Sequence, residues 1–478
     1  MRRIILVSFL FLVVILAGLW VSASAGREPS GAVPAYSLRK LVPQGFSVYQ
    51  GILDWVPVSS TLGIAFARNY DKVADVYTLA SYSFSKTGVC SSSRTIATGK
   101  GDPRGAACFW ITDGVSGERA ASAYGIVFVL FDEAYVNYDA AAVYVAKFDS
   151  SGGVTGRWKQ IFREVTPKGW YIYSKSLVAF RGGQSIGIVP SLTFRKKQQT
   201  GQRSLAYFLE ADIKDGILIG STKQLPLPTQ GHPYSVRGFA PGWNGTSWLV
   251  PVAATMSKSG AATEDDILGN KALVCVVSGK ATHAAVLNEI AEDALMSRDT
   301  YELALTSYPG SSTDMSMFVR HRTPLPESQR KLDMFKYDFS LKRLDVRGRL
   351  VTTRSVSIAA PVHKLAYDVA YEPWLEDDSW SECLVRSGTI YLARAHSVVM
   401  IKKHAWAMKY EQEFDFYAIN PLTGDVSHKA RTVATWDLIL LLKPWIDSFP
   451  GGPIAVVNYA YFMTAPYARD NFLTLFNY

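Results

Sequence analysis

Short apolar-alternating runs come in pairs along the chain, joined by a polar turn that usually holds Gly. The pairs read VYTLASYSFSKTGVC at Val76–Cys90, AVYVAKFDSSGGVTGRWKQIF at Ala142–Phe162 and LAYFLEADIKDGILIGSTKQL at Leu205–Leu225. They return as ALVCVVSGKATHAAVLNEI at Ala272–Ile290, LDMFKYDFSLKRLDVRGRLV at Leu332–Val351 and FDFYAINPLTGDVSHKARTV at Phe414–Val433. The second run of each pair is the more basic. A third run precedes every pair, as in LGIAFARNY at Leu62–Tyr70, YGIVFVLF at Tyr124–Phe131 and SWLVPVAATM at Ser247–Met256. A fourth candidate lies earlier still: FSVYQGIL, CFWITDG, YIYSKSLVAF, YSVRGF, YELALTSY, KLAYDVAY and DLILLL. Runs rich in Val, Ile, Tyr and Phe with Gly and Ser at their boundaries predict β-strands.

Self-similarity of this kind marks a repeat architecture, here of roughly 60 residues per unit, longer than a WD40 repeat. Four strands per unit and about seven units resemble the four-stranded antiparallel blades of β-propellers. The turn Asn420-Pro421-Leu422-Thr423-Gly424-Asp425 is similar to the outer-hairpin turn of many secreted propellers. The reading is an all-β, seven-bladed propeller with blades near 46–97, 108–162, 170–225, 233–290, 300–351, 363–433 and 437–478. The last unit ends at NFLTLFNY without a fourth strand, and Ser37–Val42 (SLRKLV) resembles the outer strands of the others. The segment 36–42 is therefore expected to complete the last blade, which would also cover an otherwise open edge. No WD dipeptide with a GH partner, Kelch glycine pair or Asp-box with the proper spacing is present, so the resemblance is to a class and selects no function.

Residues 1–25 have the layout of a secretory signal: Arg2 and Arg3, the apolar run Ile4–Trp20, and Ala23-Ser24-Ala25. Residues 26–35 read as a Gly- and Pro-containing tether, and 36–478 as one propeller domain. The signal places the protein outside the cytoplasm, secreted or at the cell surface or in a periplasm, and after cleavage no membrane span is expected. The 48% hydrophobic content suffices for a large core. The net charge of +9 permits attraction to anionic surfaces or glycans, but its spread over many strands and turns reads as a solvated basic surface and gives no nucleic-acid footprint. Of four cysteines, Cys90 and Cys108 are the candidate disulfide pair, although a full strand between them would hold them too far apart. Cys275 reads as a small core residue, and Cys383 falls in what reads as a polar insertion, Glu372–Gly388.

The candidate binding face comprises the loops between second and third strands. Arg195, Lys196, Arg320, His321 and Arg322 make two of them basic, with the arginine forks suited to carboxylate or sulfate, and Asp132 and Glu133 make another acidic. Exposed aromatics such as Tyr135, Tyr138, Trp406 and Tyr467 are candidates for stacking on sugars. Asp54, Asp113 and Asp368 lie in innermost-strand candidates, where paired carboxylates would suit glycoside cleavage. Inner-strand Asp residues also commonly bond neighbouring backbone. The seven histidines are scattered, no metal-ligand spacing occurs, and neither a nucleophile elbow nor a phosphate loop is found, so no cofactor or metal is expected. The first expectation is a non-catalytic propeller that binds an anionic glycan or cell-envelope protein through its loop face. The alternatives are an extracytoplasmic polysaccharide hydrolase or lyase with carboxylates in the central channel, and a structural envelope component.

Overall fold

A computed structural model describes residues 36–41, 51–71, 73–112, 123–134, 139–196, 201–227, 231–258, 267–279, 281–291, 301–324, 335–358, 380–386, 388–400, 409–437, 439–450, 454–462 and 469–476. The chain divides into Met1–Ala35 and Tyr36–Tyr478. The proposed signal and tether lie outside the described residues. Among the described residues no helix is long and apolar enough to cross a membrane.

The larger unit is all-β. Strand β1 is Tyr36–Leu41, and the first sheet follows as Gly51–Pro57 (β2), Leu62–Asp71 (β3), Val76–Ser85 (β4) and Cys90–Ala97 (β5). The second comprises Asp102–Ile111 (β6), Tyr124–Ala134 (β7), Asp139–Phe148 (β8) and Lys159–Val165 (β9). The third runs Trp170–Gly182 (β10), Ser185–Lys196 (β11), Gln202–Asp212 (β12) and Lys223–Gln224 (β13). The fourth has His232–Gly238 (β14), Trp248–Ser257 (β16), Ile267–Ser278 (β17) and Ala281–Ala291 (β18), with Gly242–Trp243 (β15) paired to β16. The fifth is Tyr301–Ser307 (β19), Met315–Pro324 (β20), Phe335–Leu344 (β21) and Leu350–Val356 (β22). The sixth is Trp380–Arg386 (β23), Thr389–Met400 (β24), Lys409–Ile419 (β25) and Val426–Asp437 (β26). The last holds Ile439–Ser448 (β27), Ile454–Phe462 (β28) and Arg469–Phe476 (β29). Strand β1 joins this sheet antiparallel to β29, from Tyr36 opposite Phe476 to Leu41 opposite Asn471.

The apolar clusters sit between consecutive sheets. Phe128, Leu130 and Val143 of the second sheet meet Ile186, Ile188 and Leu209 of the third. Val236, Val250 and Cys275 of the fourth meet Val189 and Phe208 of the third. Middle strands therefore bury both faces, which is why β16 is buried along its whole length and reads as a continuous apolar run. Each fully buried Leu, Ile, Val or Phe contributes about 1.5–3 kcal/mol through removal from water. Trp55 of the first sheet packs against Phe449, just after β27, with ring centroids 5.6 Å apart.

Two sequence boundaries are corrected. The first strand of the second sheet begins at Asp102 rather than Cys108; Gly101 and the Asp-Pro-Arg-Gly run read as a turn, but Pro103 is tolerated because β6 is an edge strand beside a bulge. The expected insertion Glu372–Gly388 contains a strand, β23, whose Val385 and Cys383 pack on the core shared by the fifth and sixth sheets. KLAYDVAY lies outside the described residues.

Candidate functional site

In each antiparallel sheet the first strand starts, and the second ends, at the same edge. At that edge the first three sheets join their charged side chains. Arg68, near the end of β3, grips Asp102 of β6 with both arms of its fork: Nε donates to Oδ1 at 2.6 Å and Nη2 to Oδ2 at 2.5 Å. Arg104 Nη2 lies 2.7 Å from the same Oδ2, and its Nε lies 3.6 Å from Asp132 Oδ2. Asp132, at the end of β7, also pairs with Lys175 Nζ of β10. The result is an alternating row, Arg68, Asp102, Arg104, Asp132, Lys175.

Local chemistry builds this row. Asp102 and Asp132 are direct cross-strand partners. Gly101 holds φ +100° immediately before Asp102, and a Cβ there would lie 2.3 Å from the Asp132 carbonyl oxygen. A glycine is required for the two strands to approach at that point. Arg104 is the extra residue of a β-bulge between Pro103 and Gly105, and a bulge re-aims its side chain out of the ladder. The Arg68 guanidinium stands 3.5 Å over the Tyr77 ring, which fixes the fork's plane. Lys175 is only 6% exposed, and Asp102 and Asp132 are 19% and 20% exposed. Burial pushes the Lys175 ammonium below its ordinary value, and the neighbouring Asp132 charge offsets part of that shift.

A second charged group links the fourth and fifth sheets. Glu302 of β19 is the cross-strand partner of Arg320 and lies 3.3 Å from Arg237 of β14. Elsewhere carboxylates serve packing. Buried Glu133 accepts the Tyr144 hydroxyl at 2.7 Å and Arg163 Nε at 3.1 Å. Asp54 Oδ2 accepts the Cys108 backbone N–H at 2.8 Å and its thiol at 3.2 Å. Burial, followed by the Asp54 and Asp447 charges, raises the Cys108 thiol well above its usual range.

The residues singled out in the sequence are separated. Asp132 enters the charged row, while Glu133 points to the outer strands of its sheet. Arg195, next to last in β11, donates from Nε to Gln202 at 2.8 Å and lies 3.5 Å over the Tyr173 ring. Lys196 lies over Trp170. Arg320 is 4% exposed rather than on a loop tip, because β20 continues to Pro324. His321 Nε2 is 3.7 Å from Asp338, and the Arg322 side chain lies outside the described residues. Cys90 and Cys108 are free thiols on β5 and β6; burial pushes Cys90 up to about 11. Asp113, Asp368, Tyr135, Tyr138, Trp406 and Tyr467 also lie outside. Among the described residues no three His, Cys, Asp or Glu side chains gather as a metal site.

Sequence reasoning missed Asp102, Arg104 and Lys175. Their signal is an unbalanced charge inside an apolar first strand: Lys175 in YIYSKSLVAF, Arg104 in DPRGAACFW, and likewise Arg237 in YSVRGF and Glu302 in YELALTS.

No protein-family model matches the chain, and no curated protein matches it. Among solved structures, the β-propeller domain of the Trilobed protease from Pyrococcus furiosus is similar at 10% identity and TM-score 0.39, over 89% of this chain and 94% of that one. The NanB sialidase from Streptococcus pneumoniae is similar at 11% identity and TM-score 0.39, over 92% and 70%. An α-L-arabinofuranosidase, Arb93a from Fusarium graminearum, is similar at 8% identity and TM-score 0.41, over 93% and 98%. The expectation of a non-catalytic, partner-binding propeller is corrected accordingly: the similar structures include glycosidases.

Proposed function

We propose that the chain is an extracytoplasmic polysaccharide hydrolase that works at the Asp102–Asp132 pair. The observation that carries the reading is the direct cross-strand opposition of these two carboxylates, with Arg104 reaching both. Opposed residues in an antiparallel pair have Cβ atoms roughly 4.5–5.5 Å apart. Glycosidases cleave with a pair of carboxyl groups flanking the scissile bond, which two opposed Asp residues supply. In this reading Asp102, oriented by the Arg68 fork, attacks the anomeric carbon as the glycosidic C–O bond breaks, and water then hydrolyses the glycosyl ester and frees Asp102. Asp132 and Lys175 manage the proton of the glycosidic oxygen, since burial loosens the Lys175 proton. Fold and address belong to the same proposal. The unit is a seven-bladed propeller closed by β1, its site lies at the channel mouth, and residues 1–25 export it.

The test is incubation of folded protein with a panel of polysaccharides. Reducing ends should form without the ultraviolet absorbance of an unsaturated product, and Asp102→Asn and Asp132→Asn should each lower kcat/KM at least about 100-fold. Unsaturated product would replace hydrolysis by elimination. No product from any polymer would end the enzymatic reading.

A further inference from the structure

The first strands share an irregularity that the row of charges does not explain. Among the described residues, five of them carry an extra residue close to their starting edge: Leu53, Arg104, Tyr173, Tyr234 and Lys443. Strands β19 and β23 pair with their neighbours without such a shift. Bulges are over-represented beside active sites because they turn one side chain out of the ladder. Recurrence at one edge of successive sheets makes this a built feature of that edge.

Four of the five fall in the first four sheets, and three of those are an arginine and two tyrosines. Arg104 is 36% exposed and reaches both carboxylates of the proposed catalytic pair. Tyr173 is 37% exposed, with the Arg195 guanidinium against its ring. Tyr234 is half-buried, and its backbone carbonyl is tied down by Gln202 Nε2 at 2.8 Å and Ser204 Oγ at 3.0 Å. Two tyrosines and an arginine thus occupy the corresponding bulge position of three successive sheets. Tyrosine rings offer flat apolar faces with a polar tip, the combination that a pyranose ring with its own polar rim can stack upon. Around Arg104 the charges of the described residues do not cancel. Arg68, Arg104 and Lys175 supply three cations, against the carboxylates of Asp102 and Asp132. One further carboxylate balances the row, and the Arg104 fork is the geometry that recognises it.

We infer that Arg104, Tyr173 and Tyr234 form consecutive sugar subsites, and that the Arg104 subsite takes a uronic acid. The inference rests on the glycan-cleaving reading of Asp102 and Asp132, and its test is kept separate from cleavage. Stopped-flow tryptophan fluorescence, read ahead of turnover, measures binding of a galacturonate hexamer and of its methyl ester. The ester has the same rings and size without the charge. The acid form should bind at least about tenfold tighter, and Arg104→Gln should abolish that preference. Tyr173→Ala and Tyr234→Ala should each weaken acid and ester alike by about fivefold to tenfold, with unchanged far-ultraviolet circular dichroism and melting temperature within a few degrees. Equal affinity for acid and ester would overturn the uronate assignment, as would a preference that survives Arg104→Gln. Tyrosine variants that bind like the wild type would overturn the subsites. Tight binding of the acid without cleavage would retire the hydrolase and leave the subsites standing; cleavage of neutral glycans with no acid preference would do the reverse.

Discussion

The two edges of the sheets use carboxylates for opposite purposes. At the edge where third and fourth strands turn, acceptor side chains are consumed by their own backbone. Asp149 Oδ1 takes the N–H groups of Ser151 and Gly153 at 2.8 and 3.0 Å, and Asp345 Oδ1 takes those of Arg347 and Arg349 at 2.9 and 2.8 Å. Asn420 and Ser85 do the same in the sixth and first sheets. Each of these turns ends at a glycine of positive φ, among them Gly152 at 81° and Gly348 at 71°. The turns then lean on the sheet before them: Ser81 Oγ donates to Gly152 O at 2.7 Å, and Ser316 Oγ donates to Pro421 O at 3.1 Å. At the other edge Asp102 is satisfied by an arginine 34 positions away, and Asp132 by a lysine of the next sheet. A locally satisfied carboxylate shapes its own loop. A carboxylate held by neighbouring sheets is placed by how those sheets stack.

This contrast is open to attack from both sides. The largest effect is expected at Gly101: Ala there meets the Asp132 carbonyl and requires φ +100° of a residue with a side chain, so Asp102 is displaced. Glycan cleavage by Gly101→Ala should fall by about 100-fold or more, equivalent to about 2.7 kcal/mol of transition-state stabilisation. Activity near that of the wild type would mean that the Asp102–Asp132 approach does not matter. Next come the turn glycines. Left-handed backbone costs a non-glycine residue about 1–2 kcal/mol, and a Cβ at Gly152 would lie 2.8 Å from Ser81 Oγ. Gly152→Ala should lower unfolding free energy by about 1–3 kcal/mol in urea titration, with kcat/KM within twofold of wild type. A parallel fall in activity would dissolve the division between the edges.

The pH dependences sharpen it further. Burial alone would raise Asp149, but the bonds from Ser151 and Gly153, with the Arg94 charge, hold it below 3.8; Asp345 is lowered by its bonds from Arg349 and Arg347. Their folded values lie below the unfolded ones, so the stability they add is present above about pH 4 and is lost as pH falls through the folded values. Replacing both with Asn should flatten the acid limb of a stability–pH curve, and an unchanged limb would assign acid sensitivity elsewhere. The smallest effect is at the other edge. Lys175 is lowered below 10.5, so it loses its proton earlier than a free lysine. Folded stability should rise with pH between that lowered value and 10.5, since the unfolded chain binds the proton more tightly there. The alkaline limb of kcat/KM should fall below pH 10.5 and move upward in Lys175→Arg. A limb that ignores this substitution would exclude the lysine from proton handling.

The strand pattern, the four-stranded units and the pairing partner of the N-terminal strand were legible because alternation, turn glycines and a missing last strand are local features of the chain. Arg104 was not, because Asp102-Pro103-Arg104-Gly105 reads as a turn until a bulge and an exposed edge make room for Pro103. Arg320 misled in the other direction: its basic neighbours suggest a loop, yet β20 carries it inward opposite Glu302.

What the sequence determined by itself is therefore the repeat, since hydrophobic period and turn chemistry act over a few residues. What only the tertiary structure decided is which charges meet. Arg68, Asp102, Arg104, Asp132 and Lys175 come from three sheets, and no local rule couples residues whose proximity depends on how successive sheets stack.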